Sequence, residues 1–179
     1  MKQVIKVTRF GTPIGEMTAG ATKDGICLLE FSDRSKLSVE FDEIAGLLNA
    51  PVRDGSNRHL RTLKRQVNEY FKGKRKVFSL NLVTPGTDFQ KAAWNELLKI
   101  PYGNTNTYHE QAELLNNPGS VRAVAHANAT NRISIIIPCH RVIGSDGHLV
   151  GYGGGLDRKK WLLDHEKKFS GKPVDLDLF

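Results

Sequence analysis

The sequence predicts a small α/β domain followed by a mainly α-helical domain that contains a helix-turn-helix. Three observations support this prediction: an alternating apolar pattern over residues 3–31, apolar residues at helical spacing after residue 85, and a Gly-containing turn between two short helical segments. The 179 residues are enough for one large domain or two small ones with a buried core.

The first half of the chain supplies the strands and one basic helix. Residues 3–31 predict strands around a Gly11–Gly15 turn, 57–72 an amphipathic helix, and 77–82 a returning strand. A linker rich in turn-forming residues, 83–87, sets the domain boundary. We therefore expect an N-terminal domain at 1–84, a C-terminal domain at 85–168 and a tail at 169–179.

The second half predicts three helices. Thr87 or Asp88 caps the first, which stops at Pro101; Thr107 caps the second, and a tight turn leads into the third near Ser120. The predicted buried face of the first helix consists of Phe89, Ala93, Trp94, Leu97 and Leu98. An ordinary αα-hairpin within a core would give the same helix-turn-helix pattern.

The third predicted helix has an outward face of small residues with one long side chain. That face carries Arg122, Ala123, His126 and Ala127, whereas Val121, Val124, Ala125 and Asn128 face inward. Reading bases in the major groove needs several long polar side chains, so sequence-specific binding is not expected. Small residues allow close approach to a narrow groove, and Arg122 could fill the place of an extruded base. The alternative is a surface helix with a solvated arginine.

Charge and cysteine content limit the classes of function. The formal charge is +7, and the segment 53–76 holds nine basic residues against two acidic ones, which favours a polyanionic partner. We expect an intracellular protein, since neither a membrane span nor a signal peptide is visible. Cys27 and Cys139 are too few for an ordinary four-ligand zinc site.

Cys139 is the candidate nucleophile. An apolar run predicted as a strand, 133–137, ends at Pro138 and holds the thiol at a turn. His140 could act as its base if the backbone is irregular or a water bridges the two, and Glu166 could orient the imidazole. A lone cysteine is, however, often only a small buried hydrophobe.

Two neighbouring features could shape a site around this thiol. Asn131 could clamp the turn through side-chain hydrogen bonds, or could cap a helix. The loop 151–155 contains four glycines and Tyr152 and could line a pocket for a flat ligand. No Lys-Ser or Lys-Thr pair follows these glycines, so a nucleotide cofactor is not expected.

Together these segments resemble the O6-alkylguanine-DNA alkyltransferases. The resemblance rests on Ile137-Pro138-Cys139-His140-Arg141-Val142-Ile143-Gly144, Arg122-Ala123-Val124, Asn131, Gly151-Tyr152 and Leu162-Leu163-Asp164-His165-Glu166. It covers at least residues 85–168. It implies a ribonuclease-H-like N-terminal domain, a winged-helix-like C-terminal domain, and irreversible transfer of one alkyl group from guanine O6, or from alkylated thymine, to Cys139 without a cofactor.

The resemblance also implies a role for each matching residue. The reaction would use Cys139 as acceptor, His140 as water-mediated base, Glu166 as orienting carboxylate, Asn131 as hinge, and Tyr108 at the target 3′ phosphate and as proton donor. Contacts to double-stranded DNA, independent of sequence and in the minor groove, would come from Arg122, Ala123, Ala127, Thr107 and Ser120. The base pocket would be formed by Val142, Tyr152, Gly153 and Asn128. Some relatives have Ser where this chain has Gly153.

We expect a monomer without a bound metal. Two other functions fit the residues: a non-catalytic helix-turn-helix binder of damaged DNA in which Cys139 is a packing residue, and a cysteine hydrolase using Cys139, His140 and Glu166 on an ester or amide.

Overall fold

The N-terminal half is a four-stranded sheet with a helix on each face. The computed structural model describes residues 3–172; residues 173–179 of the predicted tail lie outside the described range. The elements of this half are β1 (Ile5–Thr12), β2 (Gly15–Ala21), β3 (Ile26–Phe31), α1 (Leu37–Leu47), β4 (Val52–Asp54) and α2 (Arg58–Phe71). The strand order is β3-β2-β1-β4, antiparallel except for the parallel β1–β4 pair. The predicted α/β fold is thus confirmed.

Alternation along the strands separates two cores. Ile5 and Val7 of β1 pack with Ile44 of α1, whereas Met17 and Leu29 face the opposite side, towards α2 and the C-terminal half. Neither α1 nor β4 is among the sequence predictions. Leu37, Val39 and Phe41 of α1 alternate with polar residues, which is not helical spacing, and all three residues of β4 are exposed, so neither element gives a clear periodic signal.

Helix α2 confirms the predicted amphipathic helix at 57–72. Asn57 caps it by accepting a hydrogen bond from the Leu60 amide (3.0 Å). Its exposed face carries Arg61, Lys64 and Arg65, which line a groove beside the β1–β2 turn. Much of the basic excess of the chain therefore lies on the N-terminal half.

The C-terminal half contains the predicted helix-turn-helix. Its elements are α3 (Asp88–Leu98), β5 (Asn106–Thr107), α4 (Tyr108–Leu114), α5 (Val121–Ala129), β6 (Val142–Ile143) and α6 (Leu156–Phe169). Thr87 and Thr107 form capping boxes at α3 and α4. Gln111 of α4 and Asn128 of α5 exchange hydrogen bonds of 3.1 and 2.8 Å, which fixes the helix-turn-helix angle. Leu98, predicted on the buried face of α3, is 47% exposed, so that assignment is wrong.

Two predicted strands are not formed. Residues 77–82 have no regular secondary structure apart from one isolated bridge, between Leu82 and Ile26. Residues 133–137 form a turn in which Ile135 has φ +72° and the Ile136 amide donates to the Ser134 carbonyl (2.8 Å). The three consecutive isoleucines are buried as predicted, but they lie in a compact turn. The prediction of a strand failed because an apolar run indicates burial and does not by itself distinguish a strand from a buried turn.

The two halves meet along the free edge of β3. The Leu29 amide donates to the Arg132 carbonyl, and the Ser134 amide donates to the Leu29 carbonyl, both at 2.8 Å. The segment that leads to Cys139 therefore extends the ladder of the N-terminal sheet. Within residues 3–172 no helix has both the length and the apolar composition needed to cross a bilayer.

Candidate active site

Cys139 lies at the start of a single 3₁₀ turn, Cys139–Arg141, directly after Pro138. Asn131 holds this turn: its side-chain amide donates to the Ile137 carbonyl (2.8 Å) and to the Cys139 sulfur (3.3 Å). Its Oδ1 accepts a hydrogen bond from the Ile133 amide (2.9 Å). Of the two roles open to Asn131, clamp or helix cap, the geometry shows the clamp.

The thiol rests in its neutral form. Burial raises the pKa of Cys139 to about 11, although the hydrogen bond from Asn131 and the positive charges of Lys159 and Arg34 act to lower it. At neutral pH the sulfur is thus protonated, and a base must remove the proton when the nucleophile is needed.

His140 is fully buried and bonded to Glu166. Its Nε2 lies 2.7 Å from Glu166 Oε1, and its Nδ1 has no hydrogen-bond partner among residues 3–172. Burial lowers the pKa of His140, with the Glu166 charge acting in the opposite direction. An ionised Glu166 only accepts hydrogen bonds, so Nε2 donates and Nδ1 is left as the basic nitrogen.

Glu166 is the centre of a buried network. Arg141 forms a bidentate pair with it, at 2.8 Å from Nε and 2.9 Å from Nη2. The Tyr70 hydroxyl (2.9 Å) and the Gly103 amide (3.1 Å) also donate to it. Burial acts to raise the pKa of Glu166, but His140 and Arg141 outweigh it, so the pKa lies far below its usual range.

Cys139 opens into a pocket of about 800 Å³ between the two halves. Of the residues predicted to form a base pocket, Tyr152, Gly153 and Asn128 line it. Val142 does not: its side chain is fully buried, and the Lys159 ammonium donates to its carbonyl (2.6 Å). The two-residue strand β6 holds Val142 against Asn106 and turns its side chain into the core, so that prediction is wrong.

The recognition helix α5 borders this pocket. Arg122 is exposed and lines the pocket, and Ala123 is exposed beside it. Ala127 is 1% exposed, and its carbonyl accepts a hydrogen bond from the Trp94 indole (2.8 Å), so it is not a surface residue as predicted. The buried face of α5 therefore differs from the predicted one. It includes Ala127, because α3 packs there, whereas Val121 and Ala125 line the pocket.

The remaining predicted contacts are on the surface around α4 and α5. Thr107 and Ser120 are partly exposed, and both hydroxyls make local hydrogen bonds, to the Glu110 amide (3.1 Å) and the Asn117 carbonyl (2.7 Å). Tyr108 lines the pocket, and its hydroxyl donates to the Val150 carbonyl (3.1 Å). Burial, together with the nearby Cys139, raises the pKa of Tyr108 to about 12.

Two charged side chains at the site were missed by sequence reasoning. Lys159 is fully buried, and its ammonium donates to the carbonyls of Val142, Val150 (2.8 Å) and Gly151 (3.3 Å), which ties the glycine loop to the site. Burial lowers the pKa of Lys159 to about 8. Arg34 enters the pocket from the N-terminal half. In the sequence each is one cation among 26, and only the fold shows that it is buried.

Replacing Asn131 tests the clamp. We expect Asn131→Leu to lower the free energy of unfolding by about 2 kcal/mol, because the Ile133 amide loses its acceptor inside the protein and the Ile137 carbonyl keeps only the Cys139 amide (2.9 Å) as donor. Asn131→Asp retains the acceptor for Ile133 but loses the donor to sulfur, so the pH midpoint of Cys139 alkylation by iodoacetamide should rise. Urea unfolding and the pH profile measure the two effects. An unchanged midpoint in the Asp variant would remove Asn131 from control of the thiol.

Fold and site together define a class of protein: a helix-turn-helix unit whose recognition helix borders a pocket with a cysteine, backed by a histidine and a glutamate. Comparison with known proteins agrees. Residues 88–168 match the family model described as 6-O-methylguanine DNA methyltransferase, DNA binding domain, and residues 5–84 match its ribonuclease-like domain. The chain belongs to the 6-O-methylguanine DNA methyltransferase family.

Individual relatives support this membership. The methylated-DNA--protein-cysteine methyltransferase of Methanosarcina barkeri is 42% identical over 157 residues, which is 87% of this chain and 93% of the relative. That of Mycobacterium tuberculosis is 53% identical over 114 residues, 64% of this chain and 68% of the relative. The crystal structure of Mycobacterium tuberculosis OGT in complex with DNA superposes with a TM-score of 0.79 at 37% identity, covering 96% of this chain and 97% of that one.

Proposed function

We propose that this protein repairs DNA by transferring an alkyl group from O6 of guanine to Cys139, once per molecule. The observation that carries the proposal is the position of Cys139, which lines the pocket beside α5 while the adjoining His140 and its partner Glu166 are fully buried. The relatives named as methylated-DNA--protein-cysteine methyltransferases support the same reaction.

The residues suit a displacement at carbon. The Cys139 proton passes through a bridging water to Nδ1 of His140, and Glu166 stabilises the resulting imidazolium. The sulfur then forms a bond to the alkyl carbon as the bond from carbon to O6 breaks, and the electron pair remains on guanine. Proton donation from Tyr108 neutralises the departing base; its hydroxyl must first turn away from Val150, and its pKa near 12 keeps it protonated until then.

The alkylated base must leave the duplex to reach this sulfur. Extrusion costs a few kcal/mol, and less for a lesion that pairs badly, which would favour damaged sites. Arg122, exposed at the mouth of the pocket, would take the place of the lost base, and the small Ala123 beside it would allow α5 to approach the minor groove. Thr107 and Ser120 would contact the flanking backbone, independent of sequence. The protein would act as a monomer inside the cell, where its substrate is.

The role of each half follows from this scheme. We place the functional division near residue 84, with the acceptor and DNA contacts in 85–168. Asn131 would brace the acceptor turn, and Asn128, Tyr152 and Gly153 would surround the base. Alkylated thymine remains a second possible substrate of the same pocket.

One experiment separates the proposed reaction from the two other functions. Mixing the protein with a duplex that contains O6-methylguanine should add the mass of one methyl group, located at Cys139 by peptide mass spectrometry. A non-catalytic binder would bind this duplex and stay unmodified. A cysteine hydrolase would turn over an acyl substrate many times, whereas the proposed reaction stops when one alkyl group per molecule has been transferred.

Replacing Arg122 tests the extrusion step. We expect Arg122→Ala to weaken binding to lesion-bearing DNA and slow its repair about tenfold, since the extruded state loses its substitute for the base. Reaction with free O6-benzylguanine needs no extrusion and should keep its rate. Lys23→Ala, which removes an exposed cation from the β2–β3 turn, is the matched control and should alter neither rate. Equal losses on both substrates would indicate a folding defect instead.

A further inference from the structure

The side of the pocket that belongs to the N-terminal half includes a largely buried cation that the proposed reaction does not use. Arg34 follows β3, in the loop that leads to α1, and only 9% of its side chain is exposed. It lines the same pocket as Cys139. A buried arginine at the edge of a ligand pocket is costly unless it is paired, so its partners determine what it can do.

Two carboxylates hold the Arg34 guanidinium in place. Nη1 lies 2.8 Å from Glu30 Oε1, and Nη2 lies 2.9 Å from Glu40 Oε1. Nη2 also donates to the Ala129 carbonyl at the end of α5 (3.4 Å). A guanidinium has five N–H donors. Within residues 3–172 these contacts use one on Nη1 and two on Nη2, so donors on Nε and Nη1 remain for a ligand.

Gly153 shows that the guanidinium reaches the loop that surrounds the base. A Cβ atom built at position 153 would lie 2.3 Å from Nη1 of Arg34 and 2.6 Å from its Cζ. The arginine could not easily move aside, because Glu30 and Glu40 hold it on two sides. Position 153 therefore needs glycine for space, and the guanidinium occupies the volume that a side chain there would fill.

We propose that Arg34 is a specificity-determining residue that donates a hydrogen bond to a ring nitrogen of the extruded purine. This inference rests on the proposed function. Purines present N3 and N7 as acceptors, and a fixed cationic donor binds such an atom more strongly than a neutral one. The donor also gains strength as negative charge develops on the departing base. The Arg34 charge acts to lower the pKa of Cys139, which agrees with its location near the sulfur.

The competing explanation is structural: Arg34 would only neutralise Glu30 and Glu40. The two explanations predict different reaction rates when one ring nitrogen of the substrate is replaced. The probes are O6-benzylguanine and its 7-deaza and 3-deaza analogues, each of which replaces one ring nitrogen by carbon. The proteins are the wild type and Arg34→Met, and the rate of benzyl transfer to Cys139 is measured by mass spectrometry.

We expect Arg34→Met to react with O6-benzylguanine about ten to a hundred times more slowly than the wild type, from the loss of a charged hydrogen bond. With the analogue that lacks the accepted nitrogen, the two proteins should differ little. An equal loss on all three probes, or no loss on O6-benzylguanine, would overturn the proposal. If Arg34→Met does not fold, the triple variant Arg34→Met, Glu30→Gln, Glu40→Gln removes the unpaired carboxylates and is judged by the same ratios.

Two controls make the result specific. If the wild-type protein forms no benzyl adduct, the proposed function itself is contradicted. If the wild type forms the adduct but the ratio of its rate to that of Arg34→Met is the same for all three probes, only the role of Arg34 is contradicted. Gly153→Ala should slow the wild type by a larger factor than it slows Arg34→Met, because the new methyl group meets the guanidinium only when Arg34 is present. Arg34 acts on the base, so its loss should affect free base and DNA alike, unlike that of Arg122.

Discussion

Cys139→Ser should bind lesion-bearing DNA as well as the wild type but transfer no detectable alkyl group, a loss of at least about a thousandfold. The substitution changes one atom and leaves the Arg122 surface intact. A serine hydroxyl is a much weaker nucleophile than a thiolate, and nothing else in the pocket replaces the sulfur as acceptor. The measurement is the methyl adduct by mass spectrometry, with DNA binding followed in parallel.

The second cysteine provides the matched control. Cys27 is buried in the core between the sheet and α1, and burial raises its pKa to about 12, so it is unreactive. Cys27→Ala should transfer the alkyl group at the rate of the wild type. Transfer by Cys139→Ser at an undiminished rate would mean that another residue is the acceptor.

Glu166→Gln should cost about 3–5 kcal/mol of the free energy of unfolding at pH 7, since it leaves Arg141 inside the protein without its counter-charge. It should also slow alkyl transfer. A neutral amide no longer forces Nε2 of His140 to donate, so Nδ1 is no longer fixed as the basic nitrogen. Urea unfolding measures the first effect, and single-turnover transfer to Cys139 the second.

A glutamate on the surface is the control for this variant. Glu69 pairs with Arg65 (2.8 Å) and Arg75 (2.6 Å) as Glu166 pairs with His140 and Arg141, but in contact with water. Glu69→Gln should change stability little, because exposed pairs are screened. If both variants lose a similar amount of the free energy of unfolding, then burial of the Glu166 network does not add to the stability of the protein.

The pH dependence of stability follows from the sign of the Glu166 shift. The pKa of this carboxyl is lower in the folded protein than in the unfolded chain, so its contribution is fully present above the unfolded value of about 4.3 and falls as the pH decreases below it. The difference in stability between wild type and Glu166→Gln should therefore stay constant from pH 7 to about pH 5 and narrow from about pH 5 to about pH 3. A constant difference would contradict this assignment.

The sequence predicted the elements whose signals are local. The cap at Thr107, the cap at Thr87 (with Asp88 as the alternative) and the helix α2 follow from spacing and residue type. Glu166 was only a candidate partner for His140, and the family resemblance assigned it that role. The turn at 133–137 could not be predicted in this way. Its three isoleucines are buried in a core cluster that includes Leu29 and Phe31 of β3, more than a hundred residues earlier in the chain.

The pocket was only half predictable for a related reason. Residues after position 85 gave the acceptor, its base and the glycine loop, because they lie close together in sequence. Arg34 and Tyr70 belong to the first half, and tertiary packing alone brings them to Cys139 and Glu166. Ala127 likewise faces inward because α3 packs against it, and the spacing of apolar residues within α5 does not show where α3 packs.

The ladder contact between β3 and the acceptor segment bears on how the two halves could be recombined. A C-terminal half grafted onto a foreign partner would keep its recognition helix and its nucleophile. It would, however, lose the Leu29 carbonyl that accepts from the Ser134 amide, and it would lose the pocket residues that the N-terminal half supplies. Such chimeras should thus still bind DNA but accept the alkylated base poorly, unless the chimera also includes β3 and the loop that contains Arg34.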